Sequence, residues 1–307
     1  MDWKKINLPK YVAEVKKNMP LALSDEMVTK DLLLSLLLAE FEKEQGVFTH
    51  LIFKGGTLLS RNHLQYHRFS EDLDFVHQDS NELRELSRHK RERKIKEFID
   101  LFVPQIKTVA EALGLDFSTN RRDTRYCTIL SGRTVYILRV YYGVNNYVKI
   151  EVNFIEKMIY KPQEVVVKGI TDYFDSQELR FILGLHLDNF RVRSYVLPEI
   201  VLEKYRAVLT RPVLKERDLF DLFLIPQALQ VNIPAVVEKI HSAALIKKKL
   251  KPLLARNLIR LQQDEFFTSD EAVEDLALVK YDPVWFARFK QEIKPILMEI
   301  CNHFLEK

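Results

Sequence analysis

The residues best suited to chemistry lie between residues 53 and 75, in the sequence FKGGTLLSRNHLQYHRFSEDLDF. Gly55 and Gly56, followed by Thr57, predict a turn into a helix, where the backbone can approach a ligand closely and Thr57 can cap the helix. The start of a helix presents free backbone N–H groups and the positive end of the helix dipole, and both favour a phosphate. This turn is therefore a candidate phosphate-binding site.

Asp72 and Asp74 form a second candidate site because they are two residues apart. On a β-strand this spacing places both carboxylates on one face and the apolar Leu73 and Phe75 on the other. Two carboxylates on one face repel each other unless a cation lies between them, and Mg²⁺ prefers carboxylate and phosphate oxygens. A phosphate-binding turn beside a metal-binding carboxylate pair is typical of nucleotidyl or phosphoryl transfer.

Each motif alone is a weak signal, since a Gly-Gly pair is commonly an ordinary turn and an Asp-x-Asp pair an ordinary solvated strand face. Their order and spacing are more specific. Lys54-Gly55-Gly56-Thr57, followed by Ser70-Glu71-Asp72-Leu73-Asp74, resembles the AbiEii/AbiGii-type nucleotidyltransferase toxins, the group that includes the MenT toxins. These toxins belong to the polymerase-beta-like nucleotidyltransferase superfamily. The resemblance implies that the nucleotide is bound by Lys54, Gly55, Gly56, Thr57 and Ser70, and that Asp72 and Asp74 are catalytic metal ligands.

A third acidic metal ligand is expected on a later strand. Residues 147–154 alternate with a period of two, so that Val148, Ile150 and Val152 face the core and Glu151 faces the other way. The resemblance implies a third ligand on a strand next to the Asp-x-Asp strand, and Glu151 is placed for that role. The alternative is an exposed glutamate on a polar strand face.

A further motif of the same family is present in the second half of the chain. Lys204 lies on an amphipathic helix predicted over residues 199–209, and Arg217-Asp218-Leu219-Phe220-Asp221-Leu222 follows. The resemblance implies that Lys204 stabilises charge on the departing pyrophosphate. Asp218 and Asp221 share one helix face. With Arg217 they are either substrate-positioning residues or an internal ion-pair network; we assign catalytic roles to Lys204 and Asp221 and nucleotide contacts to Arg217 and Asp218.

Several predicted elements position these residues. The sequence predicts a helix from Ser24 to about Glu44, a strand over residues 47–53, and a long helix over residues 80–113 that Pro104 kinks or splits and Gly114 ends. A β-hairpin is predicted over residues 125–142.

The expected fold is an α/β (α+β) nucleotidyltransferase-like N-terminal domain, with a small mixed sheet flanked by helices, followed by a helical domain. We expect the catalytic domain to cover residues 1–170. Residues 171–307 are expected to form a mainly helical C-terminal domain that completes the active-site cleft, with the aromatic residues Trp285, Phe286 and Phe289 in its core.

Two basic clusters are candidates for contact with a nucleic-acid backbone, although a basic run is commonly just a solvated face. One lies in the predicted helix that follows the Asp-x-Asp strand, and the other lies near residue 250. Both would suit the phosphates of an RNA. The residues assigned to RNA binding are Arg88, Lys90, Arg91, Arg93, Lys94, Lys247, Lys248 and Lys249.

The composition is that of a globular protein, with 307 residues, 47% apolar residues and a net charge of +4 that permits nucleic-acid binding without requiring it. Cys127 and Cys301 are far apart and show no metal-binding spacing, which argues against a disulfide framework. The longest apolar run, residues 32–39, is too short to span a bilayer, and the N-terminal residues lack the apolar core of a signal peptide. We therefore expect a cytoplasmic protein with no membrane segment.

The resemblance implies a toxin of a toxin–antitoxin system. It would use Mg²⁺ or Mn²⁺ to transfer a nucleoside monophosphate from a nucleoside triphosphate to an RNA acceptor, most simply the 3′ end of tRNA, and its partner would be an antitoxin encoded by a neighbouring gene. Two alternatives stay open at this point. One is nucleotidylation of a protein or small-molecule hydroxyl, and the other is a catalytically silent nucleotide-binding or antitoxin-docking module.

Overall fold

One mixed sheet of seven strands organises the first part of the chain in this computed structural model, which describes residues 3–19, 23–173, 176–183, 190–244, 250–268, 273 and 277–306. The strands are β1 (Leu51–Lys54), β2 (Asp72–His77), β3 (Cys127–Leu130), β4 (Val135–Tyr141), β5 (Tyr147–Asn153), β6 (Gln163–Val166) and β7 (Arg191–Ser194). Their order across the sheet is β3-β4-β5-β2-β1-β7-β6. Six helices belong to the same part of the chain: α1 (Leu8–Asn18), α2 (Asp25–Glu44), α3 (Gly55–Leu58), α4 (Ser80–Glu85), α5 (Arg88–Leu113) and α6 (Gln177–Leu183).

The chain divides into two compact units. The first contains Met1–Glu156 and Pro162–Tyr195, and the second contains Lys157–Lys161 and Val196–Lys307. The helices of the second unit are α7 (Leu197–Thr210), α8 (Glu216–Phe223), α9 (Ile233–Ala244), α10 (Leu250–Gln262) and α11 (Pro283–Leu305). The expected α/β fold with a helical C-terminal region is thus confirmed, and the expected domain boundary at residue 170 stays a prediction.

Strand β2 lies in the middle of the sheet, antiparallel to β1 and parallel to β5. The register places Asp74 opposite both Lys54 on β1 and Glu151 on β5. Because side chains alternate along a strand, Leu73 and Phe75 point to the opposite face and are buried there. The strand that carries the acidic pair is therefore held from both sides.

The apolar face of the sheet is covered by helices. The predicted helix from Ser24 is confirmed as α2, and the Ser24 hydroxyl caps it by accepting a hydrogen bond from the Met27 N–H at 3.1 Å. Phe41 of α2 packs against Phe75 of β2, with ring centroids 6.3 Å apart. Helix α2 is buried along most of its length, which explains its nearly continuous apolar sequence.

Two predicted boundaries and one predicted helix break differ from the structure. The strand expected from residue 47 begins only at Leu51, because Gln45 and Gly46 have positive φ and Gly46–His50 form a 3-10 turn. The long helix expected over residues 80–113 is two helices, α4 and α5. Pro104 lies inside α5 without ending it, since the apolar residues around it hold the helix on the core. Gly114, with φ of 72°, ends α5 as predicted.

Strands β6 and β7 are not apparent in the sequence. Each has only four residues, Gln-Glu-Val-Val in β6 and Arg-Val-Arg-Ser in β7, which is too short and too polar to predict a strand. Strand β7 joins the sheet through parallel pairing with β1, where Phe53 lies opposite Ser194. Tertiary pairing alone makes these segments strands.

The core of the second unit also corrects one expectation. Phe286 and Phe289 are buried as predicted, but Trp285 is 66% exposed. Phe286 and Phe289 are three positions apart near the start of α11, so they share one helix face. Trp285 directly precedes Phe286 and lies on another face of the helix. None of the helices in the described ranges combines the length and apolar character needed to cross a membrane.

A buried ion pair fixes the chain between the glycine turn and β2. The Arg61 guanidinium lies 2.7 Å from the Asp31 carboxylate of α2, and the two side chains are 1% and 2% exposed. The same carboxylate accepts a hydrogen bond from the Tyr66 hydroxyl at 3.0 Å, and Arg61 also donates to the Ser35 hydroxyl. These side-chain contacts join α2 to the segment that follows the turn, and the Tyr173 hydroxyl adds a hydrogen bond to the Arg61 carbonyl.

We expect the substitution Arg61→Met to lower the free energy of unfolding by about 3–5 kcal/mol, because it leaves the Asp31 carboxylate buried without its cation. Urea unfolding at pH 7 measures the change. The control is Arg88→Met, which removes an exposed pair with Glu92 and should cost less than about 1 kcal/mol. Equal losses in the two variants would contradict this account of the buried pair.

Candidate active site

The glycine turn connects β1 directly to α3. Gly55 has φ of 83°, and a Cβ added to it would overlap the Asp74 carboxylate. A Cβ on Gly56 would come within 2.8 Å of the Arg68 guanidinium and 2.9 Å of the Ser70 hydroxyl. The position of Gly55 therefore requires glycine, whereas a side chain at Gly56 would have to displace the Arg68 guanidinium and the Ser70 hydroxyl.

Thr57 does not cap a helix, contrary to expectation. Helix α3 already begins at Gly55, so Thr57 lies in its first turn. Its buried hydroxyl donates to the Asp72 backbone carbonyl at 2.6 Å and lies 3.0 Å from the Ser70 hydroxyl. Thr57 thus fastens the turn to the start of β2, and this contact keeps the predicted phosphate-binding and metal-binding segments together.

The three predicted carboxylate ligands are neighbours on one face of the sheet. Asp72 and Asp74 share a face of β2, and Glu151 lies beside Asp74 on β5. Desolvation, together with the charges of Glu151 and Asp72, raises the pKa of Asp74 to about 6. Burial is the largest cause of this shift, and repulsion from the two neighbouring carboxylates adds to it.

Lys149 is the cation within this carboxylate group. Its Nζ lies 2.8 Å from Asp72 Oδ2 and 3.8 Å from Glu151 Oε2. Burial by itself lowers the pKa of this lysine, but the charges of Asp74 and Asp72 outweigh burial and raise it. Lys149 therefore offsets part of the negative charge on this face.

The carboxylates fit a divalent cation by their chemistry and charge. Hard cations prefer carboxylate oxygens, and three carboxylates with one ammonium leave a charge that one divalent cation would balance. Across the described ranges, no group of three His, Cys, Asp or Glu side chains is already arranged to hold a metal ion. The three carboxylates that could bind a cation are therefore present, but the Asp72 carboxylate is paired with the Lys149 ammonium.

Lys54, the predicted nucleotide ligand of the turn, is part of a buried network. Its Nζ donates to Glu156 Oε2 at 2.6 Å, and the Tyr195 hydroxyl donates to Glu156 Oε1 at 3.0 Å. The positive charge of Lys54 also lowers the pKa of Asp74, but burial and the charges of Glu151 and Asp72 raise that pKa by more. Its ammonium is thus fixed at the edge of the acidic face.

A second charged group lies within the helical unit. The Lys204 ammonium of α7 contacts two carboxylates of α8, Asp218 Oδ1 at 2.9 Å and Asp221 Oδ2 at 2.6 Å. Arg211 Nε lies 3.1 Å from Asp218 Oδ2. The two acids are 1% and 0% exposed, so their predicted placement on one helix face is correct. Arg217 is partly exposed on the same helix.

The predicted RNA-binding residues divide into two sets. Those on the first turns of α5 are mostly exposed, and two of them pair along the helix, Arg88 with Glu92 at 2.8 Å and Arg93 with Glu97 at 3.8 Å. Arg91 is only partly exposed and donates to the Arg84 carbonyl. Lys247, Lys248 and Lys249 lie outside the described residues.

Sequence reasoning missed three contacting residues: Lys149, Glu156 and Arg211. Lys149 could have been found, because it is two residues before Glu151 and so shares its strand face. Arg211 precedes Asp218 by seven residues in the same motif region. Glu156 has no signal in the sequence, since its contact with Lys54 joins residues 102 positions apart.

We expect Asp74→Asn to raise the melting temperature of the metal-free protein at pH 7.5 by about 2–4 °C, because it removes one of three repelling carboxylates. The pKa of Asp74 is higher in the folded chain than its usual value, so wild-type stability falls as the pH rises from 4 to above 6. The advantage of the variant should therefore vanish near pH 4. Thermal unfolding in EDTA across this range measures it.

The matched control is Asp79→Asn, which changes an exposed aspartate just beyond β2 and should show no such pH dependence. Mg²⁺ should raise the melting temperature of the wild type and of the control, and leave Asp74→Asn unchanged. A destabilised Asp74→Asn protein in EDTA at pH 7.5 would contradict the repulsion described above.

Comparison with known proteins gives the fold and the family independently. MenT4, a nucleotidyltransferase toxin from Mycobacterium tuberculosis H37Rv, matches with a TM-score of 0.54 and 17% identity over 95% of this chain and 89% of that chain. JHP933 from Helicobacter pylori matches with a TM-score of 0.40 and 14% identity over 93% of this chain and 96% of that chain. No curated protein sequence matches significantly.

The family model described as nucleotidyl transferase AbiEii toxin, type IV toxin–antitoxin system, matches residues 36–299. This range includes the glycine turn, the acidic strand, Glu151, and both α7 and α8. Because the match covers most of the chain, the protein belongs to the AbiEii family of nucleotidyltransferase toxins of type IV toxin–antitoxin systems.

Proposed function

We propose that this nucleotidyltransferase transfers a nucleoside monophosphate from a nucleoside triphosphate to the 3′ end of a tRNA in the cytoplasm, with a divalent cation, Mg²⁺ or Mn²⁺, held by Asp72, Asp74 and Glu151. The observation that carries the proposal is the direct packing of the glycine turn against the acidic strand, where Gly55 leaves no space for a side chain beside Asp74. A triphosphate on the turn would have its phosphates next to these carboxylates.

The residues of the chain have separate tasks in this proposal. The backbone of Gly55 and Gly56 and the Ser70 hydroxyl bind the phosphates, and Lys54, fixed by Glu156, supplies positive charge. Asp72, Asp74 and Glu151 hold the cation, which when bound neutralises phosphate charge and lowers the pKa of an attacking hydroxyl. In-line attack on the α-phosphorus requires that these groups fix the triphosphate rigidly.

Lys204 and Asp221 complete the proposed set. The resemblance assigns Lys204 to the charge on the departing pyrophosphate, and its two carboxylate partners hold the ammonium in one position. Asp221 would orient Lys204, and Asp218 and Arg217 would contact the nucleotide. The antitoxin that the family implies is proposed to be the product of a neighbouring gene.

We expect the purified protein, incubated with Mg²⁺, bacterial tRNA and each α-labelled nucleoside triphosphate in turn, to label tRNA with one or two of the four. Asp72→Asn and Lys204→Met should each lower the rate by about 100-fold or more, because each removes charge stabilisation from the reacting phosphates. The control is Glu71→Gln, which adjoins Asp72 but is exposed and paired with Lys30, and it should retain activity.

The other outcomes separate the alternatives. Label on a protein band or on a small molecule, with tRNA unlabelled, would replace the RNA acceptor by a protein or small-molecule hydroxyl. No transfer in any reaction, with triphosphate binding intact, would indicate a silent nucleotide-binding or antitoxin-docking module.

We further propose that the first turns of α5 bind the phosphate backbone of the RNA, together with Lys247, Lys248 and Lys249. Residues 88–97 carry six lysine and arginine residues against two acidic ones. Lys90 and Lys94 are exposed on the helix surface. Such a surface attracts RNA of any sequence, so it would position the acceptor without selecting it.

We expect the triple variant Lys90→Gln, Arg93→Gln, Lys94→Gln to bind tRNA about tenfold more weakly at 0.1 M salt and to reduce the slope of log affinity against log salt by about 2, because phosphate contacts release counterions. Filter binding at several salt concentrations measures both quantities. Its charge-matched control replaces Lys17 on α1, Lys43 on α2 and Lys161, an exposed lysine between β5 and β6. Equal losses in both triple variants would show a general charge effect and remove α5 as the binding surface.

A further inference from the structure

Lys149 lies beside the three carboxylates Asp72, Asp74 and Glu151 on the same face of the sheet. The parallel register of β2 and β5 pairs Asp72 with Lys149 and Asp74 with Glu151. All four residues share one sheet face, because each pair is two positions apart on its strand. The ammonium is therefore placed among the acids by strand pairing in the middle of the sheet.

The contacts of Lys149 are made to predicted metal ligands. Nζ lies 2.8 Å from Asp72 Oδ2 and 3.8 Å from Glu151 Oε2, and the side chain is 28% exposed. An ammonium that is partly shielded from water and next to carboxylates interacts with them more strongly than an exposed one. The carboxylate oxygen it contacts is one that a divalent cation would need.

We infer that Lys149 is a positioning residue that competes with the divalent cation for Asp72 and Glu151, so that the protein without nucleotide binds the cation weakly. This inference rests on the proposed function, which assigns these carboxylates to the cation. Lys149 neutralises one of three negative charges and holds Asp72 in place while the cation is absent. Entry of the cation requires the ammonium to leave Asp72.

The competition has a consequence for the order of binding. A triphosphate brings negative charge and oxygen ligands, and both favour binding of the cation. The negative charge also stabilises the Lys149 ammonium after it has left Asp72. Cation and triphosphate would therefore bind together, and the protein alone would keep its acids compensated by Lys149. A lysine that served only as a structural ion pair would give no such coupling.

The test measures binding of Mn²⁺ alone, from the electron paramagnetic resonance signal of free Mn²⁺, to the wild type and three variants. Lys149→Met should lower the dissociation constant by about tenfold or more, because it removes a positive charge within a few ångströms of the ligands. Lys30→Met, which removes another partly shielded lysine from its pair with Glu71, should change it by less than about threefold. Asp74→Asn should weaken binding strongly.

A second measurement uses the wild-type protein and so does not depend on whether Lys149→Met folds. Acetylation of lysine side chains, followed by mass spectrometry, should modify Lys149 faster in saturating Mn²⁺ than in EDTA, while Lys30 reacts at the same rate in both. This result would show the ammonium leaving its carboxylate when the cation binds.

The outcomes distinguish this inference from the proposed function. Mn²⁺ binding that depends on Asp74 but is no tighter in Lys149→Met than in Lys30→Met overturns the inference and leaves the proposed metal ligands intact. Unchanged acetylation of Lys149 on saturation with Mn²⁺ also overturns it. Equal Mn²⁺ binding by wild type and Asp74→Asn removes the ligand assignment and, with it, both proposals.

Discussion

The repulsion among Asp72, Asp74 and Glu151 is the constraint on which the first unit of the structure depends. Three carboxylates on one sheet face oppose folding unless cations offset them, and burial together with the charges of Glu151 and Asp72 raises the pKa of Asp74. The opposite face compensates, because Leu73 and Phe75 are buried beneath helices. The central strand thus has one face that stabilises the fold and one that is suited to binding a cation.

Rigidity around this acidic face comes from contacts that surround it. Gly55 allows the turn to pack against Asp74, and the Thr57 hydroxyl joins the same turn to the start of β2. Beyond the turn, the buried pair of Arg61 with Asp31 anchors the connecting segment to α2. Because each contact joins a different part of the chain, the acids cannot relieve their repulsion by moving apart. Such preorganisation is what transfer to a bound phosphate requires.

The second unit concentrates charge in another way. Lys204 lies between the buried acids Asp218 and Asp221, and Arg211 contacts one of them. Buried ion pairs contribute little net stability compared with apolar residues of the same size, because desolvation offsets the attraction. The cluster therefore adds little net stability, and its contacts hold the Lys204 ammonium in one position, as the role that we propose for it requires. Both charged groups lie within the range that the family model matches.

The sequence by itself determined the family and the general fold, and it predicted the site residues, because local spacing carries that information. Carboxylates two positions apart on a strand, a Gly-Gly pair before a helix and an i, i+3 pair on a helix each fix a geometry within a few residues. The helix from Ser24 and the end of α5 at Gly114 followed from local capping for the same reason.

Only the tertiary structure decided which distant groups meet. The pairing of β2 with β5 brought Lys149 to Asp72, packing brought Glu156 to Lys54, and the short strands β6 and β7 formed only by pairing with partners. The exposure of Trp285 and the use of the Thr57 hydroxyl on β2 were likewise set by long-range packing. Contacts between residues far apart in the chain depend on strand register and on the shared core, and neither is encoded in the spacing of neighbouring residues.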